Sequence, residues 1–184
     1  MATPDRLCFT GNDGADRLLA ENPFALLIGF ALDQQVTVPA AFTGPFKLQQ
    51  RLGSLDAAEV AGLEPEKLEA AFRQKPAVHR FPSVMAARVQ ELARTVVSEY
   101  AGDASRVWTE ATDAGDLRVR IGALPGFGPM KITALGSVLA KRYDVPQAQA
   151  LVPKHPTLGD VDSPEALAAY QEKKRAYKAS LRSG

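Results

Sequence analysis

Apolar residues recur at helical spacing along most of the chain. Phe24, Leu27, Ile28, Ala31 and Leu32 fall at i, i+3, i+4, i+7 and i+8, one face of a helix. Met85, Val89, Leu92 and Val96 repeat the pattern, with Arg88, Glu91 and Arg94 outward, and Ile132, Leu135, Val138 and Leu139 repeat it again. Shorter helical pieces fit Ser54 to Ala61 and Glu64 to Arg73, and the pairs Gly44-Pro45, Gly53-Ser54 and Gly102-Asp103 read as turns. A last helix over 163–181 has a marked start: Asp162 or Ser163 as N-cap, Pro164 in the first turn, Glu165 behind it. No alternating run is long enough for a strand, and there is no repeat. The pattern predicts an all-α fold of many short helices. The 184 residues suit one domain over 1–184, or two small lobes around one cleft.

Two stretches break the helical rhythm. From Val145 to Val161 the chain holds three prolines and little periodicity, so a long connection, functional or disordered, is expected over 145–161. The other is Leu124-Pro125-Gly126-Phe127-Gly128, followed by Pro129, Met130 and Lys131. It reads as a tight hairpin between two helices, spanning about 116–143 in all. Gly126 and Gly128 permit positive φ, and Pro129 suits a first helical position. The free N–H groups of the next helix would then point outward with the helix dipole behind them, and Lys131 adds a charge. That is an anion site, suited to a nucleic-acid phosphate, which it would grip without reading sequence. The plainer alternative is an αα-corner with glycines at a helix C-cap.

Composition narrows the setting. Apolar residues at 46% suffice for a core. No window approaches about 18 apolar residues, so no membrane partner is expected. The single cysteine, Cys8, excludes an internal disulfide and a four-cysteine metal or iron–sulfur site. An intracellular, cytoplasmic protein is expected. Net charge is only +1, but its distribution is uneven. Arg118, Arg120, Lys131, Lys141 and Arg142 surround the hairpin, and Lys173, Lys174, Arg175, Lys178 and Arg182 crowd the C-terminus. A basic face on a neutral protein still attracts phosphate, although the C-terminal set could equally be a solvated helix face.

Leu124 to Lys131 resembles the helix-hairpin-helix of the helix-hairpin-helix/GPD DNA glycosylase superfamily, which includes endonuclease III and the adenine and alkylbase glycosylases. Ala25 to Gln35 resembles that family's early helix, which ends in a glutamine-containing turn. Ala87 to Ala93 resembles the helix after its central connection. The likeness runs from about residue 24 to 143, and the whole chain is most similar to a small branch of base excision repair proteins without the iron–sulfur cluster. The resemblance implies a nucleoid-associated monomer that binds double-stranded DNA, bends it and flips a damaged base into a cleft. A carboxylate there supports hydrolysis of the N-glycosidic bond. No cofactor is implied, although a monovalent cation at the hairpin fits the family.

The same resemblance distributes roles. Leu124, Gly126, Phe127, Gly128, Met130 and Lys131 are the expected DNA contacts of the hairpin. Gln34 and Gln35 stand where relatives fill the gap left by the flipped base; an exposed turn is the alternative. His79, Phe81 and Asp33 are expected to border the base pocket, with Phe81 stacking on a base and His79 bonding to one; Phe81-Pro82 could instead be a hydrophobic staple. Bifunctional members carry a Schiff-base lysine where this chain has Met130. Lys131 should point about 100° around the helix, so it is expected to hold phosphate and no β-lyase activity is expected. The family's aspartate position falls on Ala148, which cannot serve. Asp160, or alternatively Asp162, is the expected catalytic residue, Asp160 reaching the cleft if the proline-rich loop is simply longer. A protein that binds DNA or lesions without excising a base is the alternative.

Overall fold

The computed structural model describes residues 2–184. Among them there are helices and no strand. The helices are α1 (Asp13–Glu21), α2 (Pro23–Leu32), α3 (Val38–Leu52), α4 (Ala57–Gly62), α5 (Pro65–Arg73), α6 (Pro82–Tyr100), α7 (Arg106–Thr109), α8 (Ala114–Gly122), α9 (Pro129–Arg142) and α10 (Pro164–Arg182). The all-α expectation therefore holds. No helix among the described residues is long and apolar enough to cross a membrane.

The sequence of α2, PFALLIGFAL, is apolar all round, and every residue from Phe24 to Leu32 is buried. Such a helix must sit at the centre of a fold rather than on its surface. Asn22 starts it by accepting the N–H groups of Phe24 and Ala25. α3 and α6 pack against it, and one hydrophobic cluster runs from Leu7 to Leu167. The core faces expected for α6 and α9 are buried, as is Trp108.

Gly44-Pro45 does not form a turn. Both residues are buried inside α3. A Cβ on Gly44 would lie 2.5 Å from Leu32 Cδ1, so the glycine is there for close approach of α3 to α2. Packing overrides the local breaker signal.

The proline-rich connection is not a loose loop. It makes two 3-10 turns, Pro146–Leu151 and Leu158–Asp160, and buries Ala148, Leu151, Leu158 and Val161 against the core. Gly159 clamps it to α9: a Cβ there would stand 2.5 Å from the carbonyl oxygen of Ser137. Backbone cannot yield as a flexible side chain can. Gly159→Ala should therefore destabilise the protein by about 1–3 kcal/mol, read as a drop of several degrees in Tm; an unchanged Tm would show that the connection moves freely.

Candidate functional site

The site forms around the buried C-terminus of α2. A helix end leaves its last carbonyls without intrahelical donors, and α2 has no basic residue in its last turn. The Asp33 N–H serves the Phe30 carbonyl at 3.2 Å and the Gln34 N–H the Leu32 carbonyl at 2.7 Å; further donors come from elsewhere in the chain. Lys131 Nζ, from the first turn of α9, donates to the Ala31 carbonyl at 3.3 Å. His79 Nε2 approaches the carbonyls of Leu32 at 3.1 Å and Gln34 at 3.2 Å. The Phe81 N–H donates to His79 Nδ1 at 3.0 Å, which assigns the proton to Nε2 and makes the ring a neutral donor. Arg80 donates to the Gln35 carbonyl at 3.4 Å.

These bonds hold a turn of unusual shape. Gln35 has φ 57°, in the left-handed region that costs a side-chain-bearing residue energy. Gln34 and Gln35 are both exposed. Gln34 Oε1 accepts from Arg88 Nη1 at 2.8 Å. Arg88 also lies against the 123–128 turn, where a Cβ on Gly126 would meet its Cδ at 3.0 Å and its Nε at 3.1 Å. One guanidinium thus ties the glutamine turn to the glycine turn. Arg88 was placed outward by its helical phase. Its position three residues after Met85 and one before Val89 puts it at the edge of the apolar stripe, which is the signal that was there to read.

The turn before α9 differs from expectation in three respects. Leu124 and Phe127 are buried, so they anchor the turn instead of presenting it. Only Gly126 has a positive φ, 80°; Gly128 is extended at φ −87° and serves as the N-cap. Lys131 turns inward to α2 and over the Phe127 ring, 5.7 Å from its centroid, not outward to a phosphate. What the turn does present is Gly126, Gly128, Pro129 and Met130, the last 87% exposed. No side chain caps this first turn, and the N–H groups of Gly128 and Met130 make none of the local backbone bonds.

Asp33 is the chemically distinctive group. It is half-buried at the end of α2, and its carboxylate has no side-chain or backbone bond among the described residues. Burial pushes its pKa above the ordinary carboxylate value, while the ammonium groups of Lys174, Lys131 and Lys178 pull it back. Burial likewise lowers the Lys131 pKa, against the pull of Asp33. Tyr170 of α10 is raised by burial and then by the Asp33 charge. A partly desolvated carboxylate with no structural partner, facing cations, is the pattern of a functional group rather than a structural one.

The other expected residues are placed differently. His79 is 3% exposed with both ring nitrogens engaged, so it has no free nitrogen to offer a base. Its role is to close the end of α2. Phe81 is 39% exposed, 5.8 Å from the His79 ring, with the Arg80 guanidinium 5.0 Å from its centroid. Asp160 is engaged by its own neighbours. It accepts the Thr157 N–H at 2.8 Å in a reciprocal cap and pairs with Lys141. Burial would raise its pKa, but the bonds from Lys141 and Thr157 and the charges of Lys141 and Arg142 outweigh that and hold it below the ordinary value. Lys141 lies ten residues beyond Lys131, about 15 Å along α9. Asp162 is exposed, and Ser163 caps α10. Asp160 lines a shallow groove of about 410 Å³ with Lys154, Tyr170 and Lys173.

No protein-family model matches the chain, and no curated protein matches it. The site is therefore read from its own geometry.

Burial holds the His79 pKa below 6.5, against the bonds to Gln34 and Leu32 that raise it. Above pH 6.5 the ring is neutral folded or unfolded and adds no pH dependence. As pH falls through 6.5 the unfolded chain takes the proton first, so stability falls until the folded pKa is reached. Tm should thus decline as pH falls below 6.5, and His79→Asn should flatten that decline while lowering Tm at pH 7. An equally steep decline in the variant would assign it to other groups.

Proposed function

We propose that the protein is a monofunctional DNA glycosylase of the helix-hairpin-helix/GPD type, acting on a damaged base in double-stranded DNA. In this reading α8, the 123–128 turn and α9 are the helix-hairpin-helix, and the helices form two lobes with the end of α2 in the cleft between them. The observation that carries it is Asp33: a half-buried, unpartnered carboxylate beside the uncapped first turn of α9 and the exposed Gln34-Gln35 turn.

The parts divide the work simply. The N–H groups at Gly128 and Met130 and the dipole of α9 hold a backbone phosphate. Gln34, held by Arg88, enters the space left by the extruded base, where a planar amide bonds to the orphaned partner. The flipped nucleotide brings its sugar to Asp33. The N-glycosidic bond breaks with its electron pair leaving on the base, and positive charge develops on the sugar. Asp33 stabilises that charge and takes the proton of the water that adds to the anomeric carbon. Lys131 keeps Asp33 ionised and caps α2; held by the Ala31 carbonyl, it is not the nucleophile, and no β-lyase step follows.

The carboxylate must be ionised to act. Because its pKa is raised, base release should increase with pH through a range above the usual value near 3.8. Duplexes carrying uracil, hypoxanthine, alkylated or oxidised bases supply the test. Asp33→Asn should lose about a hundredfold or more of the release of whichever base is excised. Folding disfavours the charged form, so the same change should leave Tm at pH 7 equal or higher, showing that the loss is chemical. Asp160→Asn should retain release. Release that survives Asp33→Asn and vanishes in Asp160→Asn would return the role to Asp160. Binding without release across the whole panel would leave a lesion-binding protein on this scaffold, the reading favoured by the structural engagement of Asp160 and by Ala148.

A further inference from the structure

α10 is a long helix that the core does not need. Of its 19 residues only Leu167 is buried, and Ala166 and Tyr170 pack partly against the core. From residue 171 onward nothing joins the hydrophobic cluster. Yet this half is placed and charged in a definite way. Tyr170, Lys174 and Lys178 fall at i, i+4 and i+8, on one face. On that face Tyr170 lines a groove with Lys141, Lys154 and Lys173, and the charges of Lys174 and Lys178 are felt by the Asp33 carboxylate. Residues 171–184 carry five basic side chains and one acidic, Glu172. None of those five forms an ion pair among the described residues.

We infer that the distal half of α10 is a second phosphate-binding arm, taking the sugar-phosphate backbone of a duplex in addition to the 123–128 turn. The inference rests on the DNA reading above and adds to it a bipartite grip. Five clustered cations without an ion-pair partner repel one another. A polyanion relieves that repulsion, and releases counterions as it does so. Lys174 and Lys178 stand about 6 Å apart along the helix, so their amines can meet neighbouring phosphates of one duplex. With the glycine turn and α10 both contributing, the backbone is held by two separate segments of the chain. That arrangement resists the backbone's recoil when a base is turned out.

The arm can be tested without disturbing the core. Binding of a fluorescent 20-base-pair duplex with a central abasic analogue would be followed by anisotropy over a salt series. The proteins are the full chain, the double variant Lys174→Ala/Lys178→Ala, and a chain ending at Glu172. The double variant should bind about tenfold more weakly or worse at low salt. Its slope of log affinity against log salt should fall by about 2. The shortened chain should lose at least as much, with Tm unchanged in both. If the full chain binds with steep salt dependence and the variants keep its affinity and slope, the arm is overturned while the DNA reading stands. If the full chain shows no salt-dependent binding, both fall. Tyr177 and Leu181 are also exposed on this arm; an unchanged slope together with loss of a dimer in sedimentation would assign it to self-association and overturn the phosphate role.

Discussion

The buried end of α2 is the constraint on which the rest depends. A helix apolar on every face goes to the centre, and its last carbonyls go with it. A buried carbonyl without a donor costs about 1–3 kcal/mol; the Asp33 and Gln34 N–H groups serve the Phe30 and Leu32 carbonyls, and the Ala31 carbonyl needs a donor from elsewhere. The chain answers with Lys131 from α9 and His79 from the connection before α6. Each donor brings its own segment along. α9 is therefore anchored by its first turn, where Leu124 and Phe127 seat the preceding turn, and the 79–81 connection is folded under the glutamines. Capping one helix assembles three stretches that are 45 to 100 residues apart.

The same constraint accounts for the electrostatics. Asp33 follows the last residue of α2, so it is drawn into the recess that the capping creates. There it loses water without gaining a hydrogen-bonding partner, and its charged form is tolerated because Lys174, Lys131 and Lys178 lie around it. Asp160 shows the contrast. Its oxygens are occupied by Lys141 and the Thr157 N–H, and its pKa moves the other way. Two aspartates of similar local sequence character have opposite assignments, one held by the fold and one left open.

Much of the fold was legible along the chain. The 3.6-residue period located α2, α6 and α9, and the Ser163-Pro164 start located α10, because burial of one helical face imposes that period on the sequence. The failures share a cause. Gly44-Pro45 reads as a turn locally, and the prolines of 145–161 read as a loose loop; in both places packing against a neighbour, Leu32 in one and the Ser137 backbone in the other, outweighs local preference. In the site, the segments were legible and the side-chain directions were not. His79 and Lys131 were marked as candidates, but whether they face solvent or α2 depends on donors and acceptors supplied by distant segments. Arg88 was missed because its helical phase sets it at the rim of the core face, and only the approach of Gly126 turns that rim into a contact.

By itself, then, the sequence determined what is local and periodic: an all-helical chain, the positions of its longer helices, a glycine turn ahead of α9, and a basic C-terminal helix. The tertiary structure alone decided which aspartate is free. That choice hangs on long-range pairings, Lys131 to Ala31 and Lys141 to Asp160. Hydrogen-bond satisfaction is a property of the assembled interior, and no spacing along the chain encodes it.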